Sequence, residues 1–275
     1  MKPSLFLAVA LAFASAASLA AEDPLAAAIA GEHRTASYAE RDAYRNPAQT
    51  LQLFDVQPQH TVVEIWPGGG WYTEILAPYL RDGGKLIAAH YDSGDTQASY
   101  RPGSRKRFEE KLAATPAVYD KVQVGSLMFD EKSGELRIPA AKPGSVDRVV
   151  TFRNAHGWHS RGISGPVFAH FFDILKPGGK LGIVQHMADP EQDWMSRSIG
   201  YVGRGYIIGQ ALKAGIELHA EGYFNRNPLD NKRYEKGVWQ LPPTYRDLKT
   251  DAEKAPYREI GESERMTLVF IKPSS

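Results

Sequence analysis

The sequence predicts an α/β protein with a doubly wound, mostly parallel seven-stranded sheet and helices on both faces. Two observations support this fold class. From Thr61 onward, short apolar runs typical of buried strands alternate with longer segments typical of helices. A turn of three glycines separates the first of these runs from the first helix. Alternation of this kind is typical of parallel strands joined by right-handed helical connections.

The predicted elements follow one another in a regular order. Seven segments have the apolar pattern of strands, at 61–65, 85–89, 122–124, 147–152, 180–184, 215–221 and 266–272. Four segments have the pattern of helices, at 72–80, 104–114, 166–175 and 203–213, and glycine-rich stops at 82–84 and 176–179 follow two of them. A turn-rich segment at 130–144 and a polar excursion at 225–262 interrupt the order. The excursion is too long for a plain loop, and it is either a surface excursion or a cap over the active edge of the sheet.

The composition indicates one globular domain and argues against a nucleic-acid partner. The chain has 275 residues, of which 43% are hydrophobic and 24% are charged, enough for a large core. Its formal charge is +1, so no overall field attracts nucleic acid or an anionic membrane. We therefore expect a small-molecule substrate, whereas the sequence carries no signal for the oligomeric state.

The first 21 residues have the pattern of a secretory signal peptide. Lys2 precedes an apolar run from Leu5 to Ala17, and Ser18 and Ala20 suit the small-residue positions before a cleavage site. The run is short for a membrane span, and an uncleaved anchor is the alternative. The chain contains no cysteine for lipidation or for disulfide bonds. We expect a periplasmic or secreted protein with no stable membrane insertion after processing.

Residues 22–60 are predicted to form an N-terminal helical segment ahead of a domain that spans 61–275. Two helical pieces are expected on either side of Pro47, because proline disfavours helix in the residue before it and suits a first turn. Charged and aromatic residues precede this proline, and they either line a cleft or form the solvated face of an amphipathic helix. They are Tyr38, Arg41, Asp42, Tyr44 and Arg45.

The segment VVEIWPGGGWYTEILAPYL at 62–80 is the most informative stretch. Gly68, Gly69 and Gly70 lie between its apolar strand and its helix. Glycine permits a positive φ and lets a ligand approach the backbone, and the N-terminus of the following helix favours an anionic group. The alternative is a tight turn that binds no ligand.

This turn, DRVV at 147–150, LKPGGKLGIV at 175–184 and the late helix and strand together resemble class I S-adenosylmethionine (SAM)-dependent methyltransferases, over about residues 50–272. More narrowly, EIWPGGGWYTEILAPYL, TFRNAHGWH and RNPLDN look like a group of bacterial proteins known as predicted methyltransferases, many of them exported. The resemblance implies a Rossmann-like methyltransferase fold, SAM as cofactor and methyl transfer to a small acceptor.

The resemblance also implies a set of cofactor-binding residues. Glu64 takes the acidic position at the end of the first strand, and the turn Gly68–Gly70 surrounds the methionine part of the cofactor. His90, with Asp92 two residues later, stands where the family usually has the acid that binds the ribose hydroxyl groups. Ser126 lies where an acid commonly receives the adenine amino group.

The candidate catalytic residues follow the predicted strand 147–152, at the edge where open parallel sheets bind ligands. We expect Asn154 to hydrogen-bond the methyl acceptor and His156 to act as the base, with His159 as the second candidate; this interpretation assigns no metal. Two other classes of function are open. In a metal-dependent hydrolase, His156 and His159 would bind a metal with His186 or Asp189. In the second alternative, the chain is a non-catalytic ligand-binding protein with the same fold.

Overall fold

A computed structural model describes residues 23–95, 97–196 and 199–274. The predicted signal peptide at 1–21 lies outside these residues. The described strands are β1 (Thr61–Ile65), β2 (Lys85–Tyr91), β3 (Gln123–Phe129), β4 (Leu136–Arg137), β5 (Val146–Phe152), β6 (Leu175–His186), β7 (Glu217–Gly222) and β8 (Arg265–Ile271). The described helices are α1 (Pro24–Ala30), α2 (Ala36–Ala39), α3 (Asp42–Arg45), α4 (Pro47–Leu53), α5 (Thr73–Leu80), α6 (Tyr100–Ala114), α7 (Pro116–Tyr119), α8 (Ala155–Ser160), α9 (Ser164–Ile174), α10 (Arg204–Lys213) and α11 (Asp251–Ile260), with a 3₁₀ turn at Gly237–Gln240.

The strands form one mixed sheet in the order β4-β3-β2-β1-β5-β6-β8-β7. β1 pairs in parallel with β2 and β5, β2 with β3, and β5 with β6, whereas β8 is antiparallel to both β6 and β7. The connections run outward in opposite directions from β1 and β5, which makes this pair the switch point at which open α/β sheets bind ligands. The predicted doubly wound fold is confirmed.

Within the described residues the sheet has eight strands, so the predicted count of seven is wrong. β4 lies in the segment predicted to be only turns, and it pairs antiparallel with the end of β3. β2 runs to Tyr91 and β3 to Phe129, both past their predicted ends. Pairing between these two strands, up to Tyr91 opposite Leu127, supplies backbone hydrogen bonds that extend them beyond their apolar runs. The predicted helix stop at 176–179 falls within β6, where the pairing with β5 is irregular.

Helices cover both faces of the sheet. Val62 and Val63 of β1 point to opposite faces, as neighbouring strand residues do, and each joins a different apolar cluster. Leu76 of α5 and Phe108 of α6 belong to one cluster, and Phe168 of α9 belongs to the other. These five side chains are at most 1% exposed, and burial of each contributes roughly 1.5–3 kcal/mol. The edge that carries the site therefore rests on a well-packed scaffold.

Residues 34–56 contain three short helices, α2, α3 and α4, where the sequence predicts two pieces, and α1 precedes them. Pro47 begins α4 in its first turn, as predicted, and Asn46 ends α3 in the left-handed region with φ 43. This sharp change of direction leaves Arg45, the last residue of α3, buried and only 3% exposed.

The excursion 225–262 contains a helix, α11, that begins with a capping box. The Thr250 hydroxyl accepts a hydrogen bond from the Glu253 N–H, and the Glu253 carboxylate accepts one from the Thr250 N–H. The Thr-x-x-Glu spacing is a local sequence signal for this helix start, which lies in a segment predicted without a helix. Among the described residues, no helix is both long enough and apolar enough to cross a membrane.

Candidate functional site

A cavity of about 360 Å³ lies at the carboxyl ends of β1 and β5, the switch point of the sheet. Its walls come from the N-terminal helices, the glycine turn, the ends of β2, β5 and β6, and the 3₁₀ turn. The lining residues are Tyr38, Arg41, Arg45, Glu64, Trp66, Pro67, Gly68, Gly69, Trp71, Tyr72, Tyr91, Phe152, Arg153, Asn154, His156, His186 and Trp239. This volume lies within the range of small-molecule binding sites.

The N-terminal segment contributes to the cavity, as predicted by the alternative in which its charged and aromatic residues line a cleft. Tyr38, Arg41 and Arg45 line the cavity, so these residues do form part of a cleft. Asp42 instead forms an ion pair at 2.7 Å with Arg34. Trp239 reaches the cavity from the excursion 225–262, which therefore covers this edge of the sheet, as the cap alternative predicts.

The glycine turn leaves its backbone open at one residue. Gly68 has a φ of +62, and a Cβ there would meet nothing within 4 Å. At Gly69 a Cβ would lie 2.3 Å from the Tyr38 hydroxyl oxygen, so this side chain covers the residue. Gly70 has a φ of +84, and a Cβ there would lie 3.0 Å from the Phe108 ring. A side chain fits without contact only at Gly68, and Gly69 also lines the cavity, whereas Gly70 serves close packing.

Glu64 places a buried carboxyl group in the wall of the cavity. The residue is 2% exposed, and the Thr73 hydroxyl donates a 2.6 Å hydrogen bond to its Oε2. Burial raises the pKa of Glu64 to about 7, against the opposing effects of the Thr73 hydrogen bond and the Lys111 charge. A cation bound in the cavity would favour the ionised carboxylate.

None of the residues predicted to contact the ribose or the adenine lines this cavity. His90 is fully buried within β2, where Nε2 donates to a carbonyl of the glycine turn at 3.1 Å and Nδ1 accepts from the Tyr91 N–H at 2.7 Å. Both ring nitrogens are thus engaged within the protein. Ser126 lies inside β3, and its hydroxyl accepts from Arg105 at 2.7 Å. Asp92 lines a separate cavity of about 270 Å³.

Aromatic rings and one arginine link these two cavities. Trp66 and Tyr91 line the first cavity, with their ring centroids 5.0 Å apart. The Arg101 guanidinium lies about 5 Å from each ring centroid, at 5.1 and 5.0 Å. It also forms a 2.7 Å ion pair with Asp95, which lines the second cavity. Trp66 adopts a φ of 46, a conformation that a bulky residue rarely takes.

Asn154 ties together the ends of two strands. Its amide nitrogen donates to the Ile65 carbonyl of β1 at 2.7 Å and to the Thr151 hydroxyl of β5 at 3.1 Å. Within the described part of the chain, its side-chain oxygen accepts no hydrogen bond. The donors of Asn154 therefore fix the backbone of the site, and its oxygen is the group left for a ligand.

His156, in the first turn of α8, is the predicted base that reaches the cavity. Burial lowers its pKa to about 4, and the charge of Arg153 adds to the effect. The imidazole is therefore neutral at pH 7. Its Nδ1 is buried and has no hydrogen-bond partner among the described residues. A buried, unpaired nitrogen beside a cavity is an exception that a bound ligand would satisfy.

His159 does not line this cavity. It lies with His156 at a neighbouring cavity of about 310 Å³, where its ring packs on Trp194 and Tyr206 with centroid distances of 5.2 and 4.8 Å. Asp189 forms a 2.5 Å ion pair with Lys232. In residues 23–95, 97–196 and 199–274, no three His, Cys, Asp or Glu side chains are placed to hold a metal. Of the ligands named for the hydrolase alternative, His156 and His186 lie with ring centroids 6.1 Å apart, and neither His159 nor Asp189 joins them at the first cavity.

Arg153 is a candidate functional residue that the sequence interpretation missed. It directly follows β5 with a φ of 66, and its side chain lines the cavity. Burial lowers its pKa to about 10; the carboxylate of Glu262 opposes this, whereas Arg41 and Arg265 reinforce it. The available signal was a charged residue immediately after a buried strand, at the ligand-binding edge.

Comparison with known proteins identifies the fold. No protein-family model and no curated protein sequence matches the chain. The chain is similar to a SAM-dependent methyltransferase from Aquifex aeolicus, with a TM-score of 0.54, 13% identity and coverage of 85% of this chain and 93% of that chain. It is also similar to geranyl diphosphate C-methyltransferase from Streptomyces coelicolor A3(2), solved with Mg²⁺, geranyl diphosphate and S-adenosyl-L-homocysteine, with a TM-score of 0.54, 15% identity and coverage of 90% and 87%.

A further similar structure is a geranyl diphosphate methyltransferase solved with SAM, with a TM-score of 0.53, 17% identity and coverage of 90% of this chain and 94% of that chain. At these identities the likeness establishes the fold. The chain therefore has the Rossmann-like fold of class I SAM-dependent methyltransferases, as the sequence predicts.

Proposed function

We propose that the protein transfers a methyl group from SAM to a small molecule. One observation carries the proposal: a buried carboxyl group, Glu64, and an open backbone at Gly68 line one cavity at the switch point of a methyltransferase fold. The amino-acid end of SAM needs an acceptor for its ammonium group and backbone donors for its carboxylate. Glu64 and the turn at Gly68 suit these two tasks. When bound, the sulfonium group of SAM supplies an electrophilic methyl group.

The site fits the amino-acid end of SAM better than its nucleoside end. His90 stands at the usual ribose position with both nitrogens engaged, so it offers the ribose no acceptor. Tyr91, which follows His90 in the chain, and Trp66 both line the cavity. Under the proposal, these aromatic faces hold the nucleoside by stacking in place of an acid.

The candidate catalytic residues take different parts in the proposal. His156 is the proposed base, because its neutral ring lines the cavity and its Nδ1 has no partner among the described residues. Asn154 is a positioning residue, because its amide nitrogen is bonded to the protein. His159 faces the neighbouring cavity and is the weaker candidate for contact with the acceptor.

Calorimetric titration of the mature chain with SAM and S-adenosylhomocysteine tests the proposal. Saturable binding is expected, and Gly68→Val should abolish it by filling the open approach to the turn. Gly134→Val is the matched control, because Gly134 also has a positive φ, +72, with nothing within 4 Å of a Cβ, and lines none of the cavities described above. Absence of SAM binding, or equal binding in the two variants, would contradict the proposal.

The second candidate function is ligand binding without turnover. The observation that favours it is the lack of a ribose acceptor at His90. Formation of S-adenosylhomocysteine during incubation with SAM and pooled small molecules separates the two functions. Production of S-adenosylhomocysteine supports the transferase, whereas binding of SAM with no product from any pool supports the binding protein.

We also propose that the protein belongs to the exported group that its motifs resemble, and that it is periplasmic or secreted. The charged start, the apolar run and the small residues of segment 1–21 support export. Fractionation of expressing cells, followed by mass determination of the N-terminus, tests this proposal. Cleavage after Ala20 or Ala21 is the expected result, and an unprocessed chain confined to the cytoplasm would refute export.

A further inference from the structure

Three arginines contact the carboxylate of Glu262 beside the cavity, and a fourth, Arg153, lies close enough for its charge to act on it. Arg41, Arg45 and Arg153 line the cavity. Glu262 accepts hydrogen bonds from Arg41 Nε at 2.6 Å and from Arg45 Nε at 3.3 Å. It also accepts one from Arg265 Nη1 at 3.1 Å. The side chain of Arg153 makes no hydrogen bond or ion pair within the described residues, although its charge acts on Glu262 through space. Four guanidinium groups and one carboxylate give this group a formal charge of +3.

Two of these arginines have donors with no acceptor. Nη2 of Arg41 and Nη2 of Arg45 are buried and have no hydrogen-bond partner among the described residues. Arg45 is only 3% exposed, with its guanidinium 4.7 Å from the centroid of the Trp71 ring. Arg265, by contrast, donates its remaining groups to two backbone carbonyl oxygens at 3.2 and 2.6 Å. Buried donors without acceptors are unfavourable, and a bound anion would accept from them and so relieve that penalty.

The other titratable groups of the cavity do not supply the missing negative charge. The Glu64 carboxyl is only partly ionised at pH 7, because burial raises its pKa to about 7. Tyr72 is a neutral phenol, because burial raises its pKa to about 12. His156 and His186 are neutral, since burial lowers the pKa of each. The groups that line the cavity therefore offset the excess positive charge of the arginines only in part.

We propose that this arginine cluster, formed by Arg41, Arg45, Arg153 and Arg265 around Glu262, binds the anionic end of the methyl acceptor. The acceptor class is a small molecule with a phosphate or diphosphate group, or with two carboxylates, because an excess of +3 suits a multiply charged anion. The planar fork of arginine matches the paired oxygens of these groups. This inference deepens the proposed function and rests on it for the identity of the anion as the acceptor.

The position of Arg153 connects this anion site to the proposed base. Arg153 and His156 line the same cavity, and the charge of Arg153 is one of the causes of the low pKa of His156. An anion held by Arg153 offsets that charge and so raises the basicity of the imidazole. Acceptor binding and activation of the base are thereby coupled.

Titration with sodium diphosphate at constant ionic strength tests the anion site without SAM. The wild-type mature chain should bind the probe saturably, and Arg153→Gln should weaken binding roughly 10- to 100-fold, as expected for one hydrogen bond to a charged group. Arg204→Gln is the matched control, because it removes the same charge from an ion pair with Glu221 at 2.7 Å. We expect this control to bind diphosphate as the wild type does.

Thermal unfolding separates an anion-binding role of Arg153 from a structural one. Arg153 has no side-chain hydrogen bond in the described chain, so Arg153→Gln should unfold at a temperature no lower than the wild type. A lower unfolding temperature together with unchanged diphosphate affinity would assign Arg153 a structural role and overturn the proposal. So would the absence of saturable diphosphate binding to the wild type, whether or not SAM binds.

A second titration distinguishes the acceptor from the carboxylate of SAM. SAM should bind equally to the wild type and to Arg153→Gln, and saturating diphosphate should not displace it. Competition between SAM and diphosphate, with weaker SAM binding in Arg153→Gln, would assign the cluster to the cofactor and overturn the acceptor assignment. Diphosphate binding without any SAM binding would support an anion site and refute the proposed transferase.

Discussion

Replacing Glu64 with glutamine tests two effects of the buried carboxyl group, its cost to the stability of the fold and its contribution to SAM binding. Burial raises its pKa from an ordinary value of 4.5 to about 7. Between these values the unfolded chain releases the proton while the folded chain retains it, so stability falls as the pH rises through this window. The full difference corresponds to about 3 kcal/mol. The glutamine side chain would keep an oxygen for the Thr73 hydroxyl and would carry no charge.

We therefore expect Glu64→Gln to match the wild type at about pH 4 and to exceed its free energy of unfolding by about 3 kcal/mol at about pH 8. Urea unfolding followed by circular dichroism at several pH values measures the difference. Glu110→Gln is the control, because the Glu110 side chain is 61% exposed and lies 3.8 Å from Lys106. A stability difference for Glu64→Gln that does not change with pH would refute the reasoning.

The same variant separates stability from function. Glutamine at this position offers an amide oxygen in place of a carboxylate, which is a weaker acceptor for an ammonium group. Under the proposed function, Glu64→Gln should be the more stable protein at about pH 8 and should bind SAM more weakly there. Unchanged SAM affinity would show that Glu64 does not contact the cofactor.

Three further outcomes are expected. In an NMR titration His156 should stay neutral down to about pH 5, and Arg153→Gln should move its midpoint upward; an unmoved midpoint would contradict the assigned cause. Trp66→Gly removes the backbone strain of a φ of 46 but also removes the packing of a large side chain. We expect the loss of packing to dominate and to lower the free energy of unfolding, measured in urea, by roughly 3 kcal/mol or more. A gain in stability would show that strain dominates. Thr250→Ala should lower that free energy by about 1 kcal/mol by removing a helix cap, with SAM binding unchanged in calorimetry.

Local signals predicted the centre of the sheet well. The predicted bounds of β1 agree with the structure, and the glycine turn leads into α5 as expected. Pro47 begins α4 because its own ring geometry determines that position. Each of these features depends on a few neighbouring residues, so the sequence pattern contains the required information.

The residues assigned by resemblance lie at positions other than those predicted, because of the pairing between strands. His90 and Ser126 were expected just beyond their strands, and the structure places them opposite each other within β2 and β3. Backbone hydrogen bonds between neighbouring strands extended both elements past their apolar runs. The two residues consequently bond to the protein itself, which a pattern along one strand does not reveal.

By itself, the sequence determined the order of the seven predicted strands and the helices between them, the glycine turn and the edge of the sheet that carries the site, because hydrophobic periodicity and turn chemistry are local properties. Only the tertiary structure decided what lies at that edge. Arg41 and Glu262 are 221 positions apart in the chain and lie 2.6 Å apart in the fold. The charge of the arginine cluster, and the pKa values of Glu64 and His156, arise from burial and from contacts between distant segments. These quantities depend on the three-dimensional environment of each group, and neighbouring residues in the sequence do not specify that environment.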